Sequence, residues 1–298
     1  MVRAFVTTCL VIATLYCSAQ VVEEPKPKLL HIQEVTVVSG FGFARSARLQ
    51  MSEFEKLIPG SVLLQQNMAG YQENFYSYLE TTGNFGVLVG MQLRDKSGQA
   101  YRSNPTLRAG FQYGSGVYFS SGKYMESTSI VDTLISQQTG QMYFVDSINT
   151  RSYSASYYSQ QLRLDVSLLF GTSSEARWSL YGGLGLTAGI SLNAVSEISY
   201  GEFAAQRIAI GQGNSSVRYS NQRVLDSKSE QFKNKANTAF CGYVPLGVDF
   251  RIGKRRPFWK QVHLIYEIRP ALTITNIPEL GVYPEAQLLQ QFGLKVRW

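Results

Sequence analysis

Cysteine is scarce in this chain, with Cys9, Cys17 and Cys241 in 298 residues. Cys9 and Cys17 fall in a segment expected to be removed, which leaves Cys241 alone and excludes a disulfide framework. Histidine is scarcer still: His31 and His263 share no cluster with cysteine at metal-ligand spacing, so no metal site is expected. Beyond the amino terminus no run of about 20 apolar residues occurs, which excludes a helical membrane span. Mean hydropathy is only -0.10. A strand-built membrane protein gives no stronger signal, because every second residue faces a polar interior. Acidic residues lag behind basic ones, for a net charge of +7. The bases are scattered and no nucleic-acid fold signature appears, so nucleic acid is not an expected partner and anionic lipid is. Gly40-Phe41-Gly42 and Gly183-Leu184-Gly185 are not followed by a helical pattern, so no dinucleotide or other cofactor is expected.

The amino terminus reads as an export signal over residues 1–19. Arg3 supplies the positive start, Ala4 to Tyr16 the apolar core, and Cys17-Ser18-Ala19 the small residues before a cut. Tyr16 is too bulky for a lipobox, so lipidation at Cys17 is not expected. Residues 20–33, with Glu23, Glu24, Pro25 and Pro27, read as a periplasmic leader. One domain is expected over 34–298.

What the chain has in abundance is alternation. Aromatic content is 12%, with 18 Tyr, 16 Phe and 26 Gly. Successive side chains of a strand point to opposite faces, so period-two patterns mark half-buried strands. Val35, Val37, Phe41 and Phe43 share one face of the first. Phe85 to Leu93 mark the second. In the third, Leu107, Ala109, Phe111, Tyr113, Val117 and Phe119 oppose Arg108, Gly110, Gln112 and Gly114. Five more follow, around 158–170, 178–193, 240–252, 262–274 and 286–298. The links between them alternate short and long, as a meander of eight strands in an outer-membrane barrel requires. The fold expected is therefore an all-β, eight-stranded antiparallel up-and-down transmembrane β-barrel with long extracellular loops and short periplasmic turns. Pro245 and Pro270 fall inside the sixth and seventh strands and predict a bulge or broken ladder at each.

The last strand carries Phe292, Leu294, Val296 and Trp298 on one face and stops on an aromatic residue. With the eight-strand pattern and Val244-Pro245-Leu246-Gly247, it resembles the OmpA/OmpX-like and PorT-like small barrels of Gram-negative bacteria. That resemblance implies residence in the outer membrane. It also implies contact with outer-membrane lipid and lipopolysaccharide, and a terminal strand read by the barrel-assembly machinery. It carries no catalytic residue with it.

An eight-stranded barrel is filled by its own side chains. The inward parity includes Arg163, Asp165, Asp249, Arg251, Glu267, Arg269 and Lys295, which are expected to pair across the lumen because unpaired buried charge is very costly. Asp165 and Glu267 also invite an acid/base reading, which a plugged interior explains without catalysis. A lipid-hydrolase reading through His263 fails because that residue points inward. Trp178, Phe258, Trp259 and Trp298 read as a periplasmic aromatic girdle. Lys254, Arg255, Arg256 and Lys260 beside them suit anionic headgroups.

In the first long loop, Met51, Phe54, Leu57 and Ile58 predict a short amphipathic helix on the loop crown or the membrane surface, led by Ser52-Glu53-Phe54-Glu55 and closed by Pro59-Gly60. Residues 129–148 predict a hairpin extending strands three and four; 197–236 predict a solvated loop. The function expected is non-enzymatic: a structural or interaction barrel, monomeric, working through its extracellular loops. A narrow channel and a PorT-type secretion accessory are the alternatives.

Overall fold

The computed structural model describes residues 30–45, 47–73, 79–93, 105–135, 137–138, 140, 142–172, 176–209, 217–253 and 255–298. The export signal, most of the leader and the link 94–104 lie outside the described residues. The elements in chain order are β1 (Leu30–Arg45), β2 (Ala47–Arg48), α1 (Met51–Leu57), β3 (Gln72–Glu73) and β4 (Leu79–Leu93). Then come β5 (Thr106–Ile135), β6 (Met142–Gly171), β7 (Trp178–Ala209) and β8 (Val217–Lys233). The chain continues through β9 (Thr238–Tyr243), β10 (Leu246–Arg251), α2 (Pro257–Gln261), β11 (Val262–Ile277) and β12 (Gly281–Arg297).

These strands close a ring. β1, β4, β5, β6 and β7 pair in turn, all antiparallel. β7 then pairs with both β9 and β10, which together form one interrupted sixth strand. β11 pairs with that strand and with β12, and β12 returns to β1 from Glu34↔Arg297 to Ala44↔Gln287. Eight strand positions result, and β8 stands outside the ring, pairing with β7. The first strand begins at Leu30, four residues earlier than the alternation suggests, across an irregularity at Ile32/Glu34. The short link after β10 holds α2 rather than a bare turn.

The two prolines meet at one place. Register runs unbroken from Tyr243↔Ala271 to Leu246↔Ile268, so no residue is inserted and no bulge forms. Val244 N donates to Pro270 O at 3.0 Å and Gly183 N donates to Pro245 O at 3.1 Å. In each pair the reciprocal bond is missing because proline has no N–H. The two expected defects are thus a single gap between β9 and β10.

Above the ring, β5, β6 and β7 continue as strands of 30, 30 and 32 residues, roughly 100 Å each at strand rise. The β5–β6 hairpin pairs out to Ile135↔Met142. The stretch read as a solvated loop instead forms the upper part of β7 and its partner β8. Its polar sequence gave no strand signal, because it is the β7 backbone that orders β8.

The first loop is the larger departure. α1 does not lie on the crown: Met51, Phe54 and Leu57 are buried, in a core with Leu49, Ile58, Leu63, Leu64, Val117, Phe119, Tyr153, Ala155, Tyr157, Ala194, Ile198 and Ile277. The loop therefore folds inward over the upper mouth of the ring. Irregularities at Ser115/Tyr118 on β5 and at Gln160/Gln161 against β7 make this possible. A one-residue slip reverses every side chain beyond it. Val117 and Phe119, assigned by parity to the outer wall, turn inward onto the helix. The cap is Gln50 rather than Ser52, with Gln50 N donating to Glu53 Oε2 at 2.8 Å.

The filled interior as candidate functional site

Inward positions of the ring stack in layers, and the charged ones lie lowest, toward the end that carries Leu30 and Trp298. At that end the Lys295 ammonium bridges Asp249 and Glu34, standing 3.3 Å from the latter. His263 Nδ1 lies 2.6 Å from Asp249 Oδ1. Four neighbouring strands, β10, β11, β12 and β1, are tied by these contacts across the seam where the chain closes on itself.

The next layer crosses the whole interior. Arg108 on β5 donates through Nη1 and Nη2 to both Glu267 oxygens on β11, at 2.9 and 3.0 Å, and through Nε to Ser167 Oγ at 3.2 Å. Arg269 donates to Glu267 and, at 2.9 Å, to Asp165 on β6. Asp165 also accepts from Tyr243 Oη at 2.7 Å and Gln112 Nε2 at 2.6 Å. The Arg269 guanidinium lies 4.6 Å over the Tyr243 ring. Arg108, Arg269, Asp165 and Glu267 are all at most 2% exposed. Two cations and two anions balance, and each is hydrogen-bonded. Such groups tolerate burial only on these terms.

Space for these long side chains comes from glycine. A Cβ at Gly185 would strike the Tyr243 ring, and one at Gly247 the Tyr181 ring. Against the other wall sits a small apolar cluster of Val38, Leu88 and Ile265. Above, a neutral layer links Gln291 to Gln112 at 3.1 Å and Gln161 to Asn237 at 2.8 Å, and Asn237 donates to Tyr157 Oη at 2.7 Å beneath the helix core.

Of the inward charges read from the sequence, the structure brings Asp165, Glu267 and Arg269 into one cluster and Asp249 and Lys295 into another. Arg163 joins neither; it donates to Ser115 O at 2.6 Å and to Gln161. Arg251 lines a pocket of about 250 Å³ at the lower mouth with Lys260, His263, Arg297 and Trp298. Arg108 and Glu34, both inward by parity, complete the two clusters and were not singled out. Their carboxylate and lysine partners come from strands distant in sequence, so spacing could not show the pairing. Trp178 packs against Phe250 at 4.4 Å, and Phe258 meets Trp259 edge-on at 5.4 Å. Phe292, Leu294 and Trp298 are exposed on the outer wall, with Val296 half-buried in the same line. Among the described residues no group of three His, Cys, Asp or Glu could hold a metal ion.

On the upper sheet, Glu202 accepts from Asn149 at 2.8 Å, Arg151 at 3.1 Å and Tyr200 Oη at 3.0 Å. The Asn149 and Arg151 bonds hold its carboxyl below the ordinary glutamate value. Burial, reinforced by Glu202, pushes Tyr200 up to about 12.

The class these features define is an all-β antiparallel ring of eight strands, with a charge-filled interior and its upper mouth covered by its own first loop. No protein-family model and no curated protein matches the sequence. Among solved structures the chain is similar to Ail, the attachment invasion locus protein of Yersinia pestis, in complex with the heparin analogue sucrose octasulfate. The identity is 11% and the TM-score 0.21, covering 89% of this chain and 99% of that one. It is also similar to OprB of Pseudomonas putida at 6% identity and a TM-score of 0.13, covering 90% and 94%. Likeness at this level carries no argument, and the fold stands on the strand pairings.

Proposed function

We propose that this chain is a non-enzymatic outer-membrane β-barrel that acts as an interaction protein through the sheet raised above its ring. The observation that carries this reading is an inverted distribution of polarity. Phe111, Leu184, Leu186, Phe240 and Phe292 point outward from the ring and are 53% to 69% exposed, while Arg108, Asp165, Glu267 and Arg269 are buried inside. Water-soluble monomers rarely expose apolar patches beyond a few hundred Å². Hydrocarbon is the medium that suits such a wall, and a closed ring leaves no unpaired edge in it. Trp178, Phe258, Trp259 and Trp298 then stand at headgroup level, with Arg255, Arg256 and Lys260 beside anionic headgroups. Contact with lipopolysaccharide and insertion by the barrel-assembly machinery belong to the same proposal.

The interior favours contact over conduction. A paired charge layer fills the lower half and an apolar core fills the upper mouth, so no water path is expected. His263 is engaged with Asp249 rather than presented to a substrate. The surface left for partners is the upper sheet, whose β5–β6 tip exposes Ile130, Ile135, Met142 and Phe144.

Single-channel recording of the refolded chain in a planar bilayer tests this, with heat-modifiable gel migration to verify folding. Absence of discrete conductance steps is the expected result. Stable steps would overturn the plugged reading in favour of a narrow channel.

A further inference from the structure

The outer wall holds a hollow that the packing of the ring does not require. Outward positions of the interrupted sixth strand run Phe240, Gly242, Val244, Leu246, Val248 and Phe250. Gly242 is not among the glycines with positive φ. A Cβ there would meet nothing nearer than Leu186 Cδ2 at 3.8 Å. Neither conformation nor crowding requires glycine at 242, in contrast to Gly185 and Gly247, where tyrosine rings fill the space.

What the missing side chain produces is a groove. Two contiguous depressions of about 790 and 450 Å³ share Val166, Leu186, Gly242 and Leu272 and are lined almost wholly by apolar groups. Six residues below Val244 on the same strand, Phe250 packs against Trp178 at 4.4 Å with the Arg177 guanidinium 4.9 Å from its ring centre. Six residues cover roughly 20 Å of strand. A barrel tilt of about 40° reduces that to roughly 15 Å of depth, half the hydrocarbon thickness. The groove thus lies near the midplane, and Arg177 near the headgroups of the lower leaflet.

We propose that this wall holds one phospholipid of the lower leaflet, with an acyl chain ending in the Gly242 groove and its phosphate against Arg177. The proposal rests on the membrane reading above. The lining offers a methylene chain contact over almost all of its area, and the exposed Arg177 guanidinium one chain length away suits a phosphate.

Native mass spectrometry of the refolded full chain, released from micelles containing phosphatidylglycerol, tests it. One lipid is expected to stay bound under activation that strips the others. Gly242→Leu fills the groove and should lower that retention roughly tenfold, equivalent to about two displaced methylenes. Gly242→Ala should lower it less, and serves if the leucine variant fails to fold. Arg177→Gln should abolish the preference for phosphatidylglycerol over diacylglycerol, and Val89→Leu on the opposite wall should change nothing. Equal retention in wild type and both Gly242 variants would overturn the proposal. So would a dimer in place of the lipid adduct, since the groove would then seat a second copy. Flotation with phosphatidylglycerol vesicles separates the two failures. Wild type that floats but shows no retained lipid defeats the groove alone; wild type that does not float defeats the membrane reading.

Discussion

Arg108 and Glu267 join opposite walls of the ring through two parallel hydrogen bonds of 2.9 and 3.0 Å. β5 and β11 stand four places apart in a ring of eight, so this pair spans the full interior. It acts as an internal strut that neighbouring strand pairs cannot provide.

Removing both ends of that strut should cost less than the two single removals added together. Glu267→Gln leaves Arg108 and Arg269 short of their counter-charge in a site about 1% exposed, which costs about 3–5 kcal/mol for a broken buried pair. Arg108→Met combined with Glu267→Gln should cost less than the sum of the two single changes. Urea unfolding in micelles, followed by tryptophan fluorescence, measures all three. Additive losses would show that the pair is not coupled.

The helix core should melt separately from the ring. Phe54 is fully buried against Phe119, Tyr157 and their neighbours, and Phe→Ala in such a core costs about 3–5 kcal/mol. Polar ties from residues 49–71 to the rest include Ser61 Oγ to Glu230 at 2.6 Å, Asn234 Nδ2 to Leu57 O at 2.8 Å and Tyr153 Oη to Gln66, with β2 and β3 pairing with β5 at the two ends. Phe54→Ala is therefore expected to expose residues 49–71 to limited proteolysis while gel migration of the ring stays heat-modifiable. Loss of both together would mean that the ring depends on its lid.

Pro270→Ala should restore one ladder bond at the gap. A net gain of about 0.5–1.5 kcal/mol from the bond is opposed by about 0.4–1 kcal/mol of added unfolded-state freedom. Stability should change by less than about 1 kcal/mol, yet the new amide at 270 should exchange slowly with deuterium because it faces Val244 O. Fast exchange there would show that the gap does not close.

Two glycines one register position apart should respond differently. At Gly185 a methyl group meets the Tyr243 ring, so Gly185→Ala is expected to cost about 1–3 kcal/mol by overpacking. At Gly242 the same change meets only Leu186 Cδ2, at an ordinary van der Waals distance of 3.8 Å, and should be close to neutral. Paired denaturation curves decide, and equal losses would contradict the arrangement of Tyr243.

Acid should loosen the upper sheet through Glu202. Its carboxyl is held low by Asn149 and Arg151, so its contribution is present above the ordinary glutamate value and is lost as pH falls through the lowered one. Carboxyl NMR should place the Glu202 midpoint below that of a free glutamate. Glu202→Gln should remove the acid-dependent rise in amide exchange along β6 and β7.

Alternation by itself determined much of this protein. The parity of Phe85, Leu164, Leu184 and Phe292 against Gly86, Arg163, Gly185 and Gln291 specified eight ring strands, their two faces and the inward placement of Asp165, Glu267 and Lys295. That information is local, because a strand writes its faces into every second residue. What only the tertiary structure decided depends on contacts between segments far apart in the chain. Arg108 meets Glu267 across 159 positions. Pro245 and Pro270 share one gap because their strands are neighbours there. Val117 and Phe119 face inward because a one-residue slip on β5 reverses the parity. α1 is buried because that reversal, with its counterpart on β7, makes an apolar floor for it. β8 is a strand because β7 offers it an edge. Pairing across a ring, slips in register and the docking of a loop are set by the closed geometry, and no periodicity along a single segment records them.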